Sequence, residues 1–83
     1  MNLTHLTKSM RVKRAHLTAQ IPSTRFRSFD GSAPRIGDLV ELDQGFTFPD
    51  GKPGCLVYCK GEGGLDRYEA EVYESEIGPD VAA

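Results

Sequence analysis

From Arg25 onward the chain alternates apolar and polar residues in short runs, and glycine, proline or aspartate stops each run. A period of two sends successive side chains to opposite faces of an extended strand, so this rhythm specifies half-buried β-strands rather than helices. Arg25-Phe26-Arg27-Ser28-Phe29 is the first run, closed by the turn pair Asp30-Gly31. Ile36 to Asp43 is the second, with Ile36, Val40 and Leu42 on one face and Leu39 and Glu41 on the other. A loop is expected from Gln44 to Gly54, with turn signals at Pro49-Asp50-Gly51 and Pro53-Gly54. Phe46 and Phe48 alternate inside it, which predicts that part of this loop folds back onto the core. Cys55 to Lys60 reads as a strand with Leu56 and Tyr58 on one face and Cys55, Val57 and Cys59 on the other. Gly61-Glu62-Gly63-Gly64 reads as a hairpin connection and lacks the frame of a phosphate-binding loop. Tyr68 to Glu74 is the clearest strand, and Gly78-Pro79 is expected to end the pattern after Ile77.

Four or five short strands joined by tight turns predict a mainly β fold, a small antiparallel barrel or sandwich. A barrel removes the exposed edges that an open sheet must protect. With 83 residues the chain supports one domain and a thin core. Ile36, Val40, Leu42, Leu56, Tyr58, Tyr68, Ala70 and Val72 are expected inside it. The preceding segment, residues 1–22, reads either as an amphipathic helix or as a basic arm. Leu3, Leu6, Met10, Leu17 and Ile21 follow helical spacing, and Pro22 would end the helix. Through Leu6, Met10 and Leu17 this segment is expected to complete the core, within the monomer or by exchange in a homo-oligomer. The expected organisation is therefore a basic segment over 1–22, a β-domain over 23–77 and a tail over 78–83.

The run Ile36-Gly37-Asp38-Leu39-Val40-Glu41-Leu42, then Gly51-Lys52-Pro53-Gly54-Cys55-Leu56-Val57-Tyr58, then Tyr68-Glu69-Ala70-Glu71-Val72, resembles the SH3-like small barrel pattern. The resemblance spans roughly residues 35–77 and rests on glycine placement and alternation. It extends to KOW-type barrels, to short uncharacterised bacterial SH3-like proteins, and to acidic SH3-like antirepressors. The matching strands here are acidic, whereas KOW-type barrels are usually basic around the motif. The resemblance implies a fold and a binding role, and it transfers no functional residue.

Charge is divided along the chain. Residues 1–30 carry Lys8, Arg11, Lys13, Arg14, Arg25 and Arg27 against the single acid Asp30, while the remainder is strongly acidic and brings the total to −2. Two binding surfaces follow. An acidic strand face of Glu69, Glu71, Tyr73, Glu74 and Glu76 would meet a basic protein partner, as in an immunity-like or antirepressor-like factor. Alternatively, Arg11, Lys13, Arg14, Arg25 and Arg27 would neutralise nucleic-acid phosphates, with Phe26 and Phe29 available to stack on bases.

Catalysis is not expected. His5 and His16 both fall in the basic segment and, on a helix, would lie roughly 16 Å apart. Cys55 and Cys59 on one strand sit about 13 Å apart, too far for a disulfide and poorly spaced for zinc. No metal or cofactor is expected. No apolar run reaches the roughly 18 residues of a membrane span. Free thiols and the absence of a secretory apolar run point to the cytoplasm.

Overall fold

The computed structural model describes residues 13–79 and is mainly β. Among the described residues six strands form one antiparallel sheet: β1 (Arg14–Leu17), β2 (Phe26–Ser28), β3 (Leu39–Thr47), β4 (Pro53–Lys60), β5 (Asp66–Tyr73) and β6 (Ile77–Pro79). Their order across the sheet is β2-β5-β4-β3-β1-β6. A meander of β3, β4 and β5 makes the centre, β1 and β6 are added on one side and β2 on the other. Among the described residues the ladder does not close, and β2 and β6 are its two edges.

The sheet nevertheless curls strongly. Leu17 of β1 and Ala70 of β5 belong to one buried cluster with Ile21, Val40, Val57, Cys59, Tyr68 and Val72. In a flat sheet β1 and β5 would stand about 14 Å apart, so a shared core requires the inner face to wrap around it. A bidentate ion pair spans the gap between the edges. Arg25, one residue before β2, places Nη1 and Nη2 at 2.8 and 2.9 Å from Oε1 and Oε2 of Glu76, one residue before β6. Arg25 Nη1 also donates to the carbonyl of Glu71 at 2.9 Å.

Several expectations are corrected. The N-terminal segment, expected as a helix or a basic arm, holds strand β1 in its described part. Leu17 and Ile21 are buried as expected, but from an extended chain; Leu3, Leu6 and Met10 lie outside the described residues. The physical reason is pairing: β1 lies between β3 and β6 and bonds to both, which outweighs the propensity of a short isolated helix. The loop expected over 44–54 shrinks to a tight turn, because β3 runs to Thr47 and β4 begins at Pro53. An irregularity between Leu42 and Gly45 absorbs the change of register, and Phe48 is buried as anticipated. The strand signal also continues through Gly78 and Pro79, since Pro79 sits on the edge strand where its missing N–H is tolerated.

The inner face of β4 is the opposite of the one expected. Val57 and Cys59 are buried, whereas Leu56 and Tyr58 are half exposed on the outside. Register decides this. Val57 pairs with Ala70 and Cys59 with Tyr68, and directly opposed residues point to the same face. Ile36 lies in the turn before β3 and is 63% exposed rather than core. Val40, Tyr68, Ala70 and Val72 are inside as expected, with Leu42 packed against them.

Candidate functional site

The outer face of the sheet is where chemistry is available. Arg27, Glu69, Tyr58, Glu41 and Arg14 are successive ladder partners across β2, β5, β4, β3 and β1. They therefore form one continuous row on that face, cationic at both ends and acidic on either side of a central tyrosine. In the next row Glu71 of β5 stands opposite Leu56 of β4. A shallow groove follows this corner and is lined by Thr24, Arg25, Phe26, Arg27, Leu56, Glu69, Ala70 and Glu71. Two half-exposed apolar side chains, Leu56 and Tyr58, thus lie beside the carboxylates of Glu69 and Glu71.

The acidic residues singled out in the sequence do not act as one set. Glu69 faces Arg27, whose Nη2 is 3.1 Å from its Oε2. Glu71 is exposed on the outer face, and Glu74 is exposed in the 3-10 turn Glu74–Glu76 that follows β5. Glu76 is turned away from the surface. Besides Arg25, its Oε1 accepts the backbone N–H of Tyr73 at 2.8 Å. The hydrogen bond from Arg25 holds the Glu76 carboxyl below the usual carboxylate range.

Tyr73 also belongs to this clamp. Its ring stacks on Phe48 with centroids 3.9 Å apart, and Arg25 lies 5.0 Å above it. Its hydroxyl donates to Asp50 Oδ2 at 2.8 Å, and that bond raises the phenol's pKa. Asp50 is held below its ordinary value, first by the backbone N–H of Lys52 and then by Tyr73. Glu76 and Tyr73 therefore serve architecture, whereas Glu69 and Glu71 remain on the accessible face.

The basic residues are divided as well. Arg25 is committed to Glu76, with both side chains under one-fifth exposed. Arg27 leans over Phe29 at 5.3 Å. Arg14 stands at the far end of the outer row, four ladder steps from Arg27, or about 19 Å along the sheet at ordinary strand spacing. Lys13 precedes β1, where its carbonyl accepts the N–H of Leu42 at 2.9 Å. Arg11 lies outside the described residues. Arg27 and Arg14 thus lie at opposite ends of the outer row, and the basic residues do not form one stripe.

A second polar cluster lies at the margin of the core. Tyr68 is fully buried and donates its hydroxyl to Asp38 Oδ2 at 2.7 Å. Desolvation, then this bond, push its phenol pKa far upward. Arg67 Nη1 approaches Cys59 Sγ at 3.8 Å, yet burial dominates and raises the thiol. Cys55 is shifted in the same direction for the same reason, and both cysteines are free. His16 Nδ1 lies 2.9 Å from the Pro79 carbonyl, which can only accept, so that nitrogen carries the proton. Among the described residues no cluster of three or more histidines, cysteines or carboxylates could hold a metal. Among them, too, no helix is long and apolar enough to cross a membrane.

The sequence hinted at Glu69 and Glu71 through their alternation, but it missed Leu56 and Tyr58 as surface residues. Both faces of β4 are apolar, so only pairing with β5 could choose between them. Comparison with protein-family models, curated proteins and solved structures finds no match.

Proposed function

We propose that this domain is a non-enzymatic protein-binding module, of adaptor or inhibitor type, that receives a basic segment of a partner on its outer sheet face. One observation carries the reading: Glu69 and Glu71 border the half-exposed Leu56 and Tyr58 on a face that the core does not use. Apolar side chains with carboxylates beside them suit a partner that carries cations, because the carboxylates steer the encounter and the apolar stripe supplies burial. An SH3-like topology agrees with the β3-β4-β5 meander, the 3-10 turn before β6 and the pairing of β6 with β1. Two free thiols with raised pKa values suit a reducing cytoplasm better than an oxidising compartment. The same shifts argue against nucleophilic use of either cysteine.

The test is titration of the purified protein into lysine- and arginine-rich peptides by fluorescence anisotropy, at low and at raised salt. Capture should weaken with salt, and Glu69→Lys with Glu71→Lys should weaken it about tenfold or more. Equal affinity in the double variant would reject the acidic face. Salt-sensitive binding of single-stranded RNA or duplex DNA, lost on Arg27→Glu, would favour the nucleic-acid reading instead.

A further inference from the structure

Two Asp-Gly pairs, Asp30-Gly31 and Asp50-Gly51, lie in exposed turns. This dipeptide rearranges more readily than others, because glycine has no side chain to shield its amide nitrogen from the preceding carboxyl carbon. The nitrogen attacks Cγ: a C–N bond forms, a C–O bond breaks and water leaves, giving a cyclic succinimide. Water then reopens the ring at either carbonyl. Opening at the side-chain carbonyl leaves the chain running through the former side chain, which is isoaspartate; opening at the other restores aspartate. Water is lost and regained, so the mass is unchanged and no oxidant or reductant is needed.

Backbone state and crowding do not separate the two pairs. Gly31 and Gly51 have φ of +89° and +87°, and a Cβ on either would meet nothing within 4 Å. Their hydrogen bonds do separate them. Gly51 N–H donates to the Phe48 carbonyl at 2.8 Å, in the tight turn that Phe48 N–H closes onto the Lys52 carbonyl at 2.9 Å. Both oxygens of Asp50 are held, Oδ1 by the Lys52 N–H at 3.1 Å and Oδ2 by the Tyr73 hydroxyl at 2.8 Å. Attacking nitrogen and carboxyl are thus both committed at Asp50-Gly51. At Asp30 the N–H and the hydroxyl of Ser32 converge on Oδ1 alone. Arg67 Nε is 3.9 Å from Oδ2, beyond hydrogen-bond reach, and the side chain is half exposed to water. Among the described residues no acceptor takes the Gly31 N–H. The pair also lies between β2 and β3, where one added backbone atom interrupts neither strand. We infer that Asp30-Gly31 is a modification site, converting spontaneously to isoaspartate in the folded protein while Asp50-Gly51 is protected by its turn. The product is a substrate for a carboxyl methyltransferase that recognises isoaspartyl residues.

The full chain is incubated warm at mildly acidic pH, either folded or in concentrated urea, and digested with trypsin at intervals. The two pairs fall in different peptides, 28–35 and 36–60, because Lys52 precedes a proline and is not cut. Chromatography with electron-transfer fragmentation tells isoaspartate from aspartate at constant mass, and enzymatic methylation counts the isoaspartyl sites. In the folded chain Asp30 should isomerise at least about fivefold faster than Asp50, the factor that one hydrogen bond is worth. In urea the two rates should converge. Asp30→Glu would need a larger ring to cyclise, and this exposed substitution, checked for folding by circular dichroism, should bring methylation of the folded protein to background. Equal rates in the folded chain, a faster Asp50, or undiminished methylation of Asp30→Glu would overturn the inference. So would a folded chain that forms no isoaspartate while the chain in urea does.

Discussion

Removing the guanidinium of Arg25 tests how this sheet holds its edges together. In Arg25→Met the aliphatic stem is largely kept, while both bonds to Glu76, the bond to the Glu71 carbonyl and the guanidinium over Phe48 and Tyr73 are lost. Exposed ion pairs contribute about 0–1 kcal/mol, and breaking a buried one costs about 3–5 kcal/mol. With side chains 19% and 16% exposed, this pair lies between those limits, and a loss of about 2 kcal/mol is expected. In a domain of this size that corresponds to a drop in Tm of roughly 8–16 °C.

The pH dependence gives an independent signature. Glu76 has a folded-state pKa below its ordinary 4.5, so its contribution is present above that value and is lost as pH falls through the depressed one. The gap between wild type and Arg25→Met should therefore be full near neutrality and narrow progressively below about pH 4.5. Urea unfolding followed by far-ultraviolet circular dichroism at a series of pH values measures both quantities, and Glu76→Gln completes a double-mutant cycle. A loss below about 0.5 kcal/mol at neutral pH, the size of an ordinary surface change, would refute the clamp. So would a gap that stays constant into acid.

Other outcomes follow from the same geometry. Gly54→Ala should destabilise by about 1–3 kcal/mol in urea titration, since its new methyl would meet the Phe48 ring and sit 2.9 Å from the Val72 carbonyl oxygen. Tyr68→Phe removes the bond to Asp38 from a fully buried site and should cost about 1–2 kcal/mol by thermal melting. Both cysteines should react slowly with a thiol-specific disulfide reagent in the folded protein near neutral pH, Cys59 more slowly than Cys55, and rapidly once unfolded. Deleting residues 1–20 should abolish cooperative unfolding, because it removes β1, the partner of both β3 and β6, together with buried Leu17.

Much of the fold was legible locally. Tyr68, Ala70 and Val72 alternate with charged neighbours, so the sequence names their inner face directly. Asp30-Gly31 and Pro49-Asp50-Gly51 mark turns whose glycines carry φ of +89° and +87°. Where no such contrast exists, the local pattern is silent. Cys55-Leu56-Val57-Tyr58-Cys59 is apolar throughout, and the choice of face came from its ladder with β5. Arg14-Ala15-His16-Leu17 fits a helix or a strand equally, and the strand is chosen because β3 and β6 offer it hydrogen bonds on both sides.

The candidate site divides along the same line. By itself the sequence determined a mainly β chain, its turns, the inner face of β5 and the outward alternation of Glu69 and Glu71. These are properties of neighbours within a few residues, set by side-chain period and backbone sterics. Only the tertiary structure decided that Glu76 and Tyr73 are spent on Arg25 and that Leu56 and Tyr58 face outward. Each of those depends on contacts between segments far apart in the chain, and the register of a curled sheet, not local composition, brings them together.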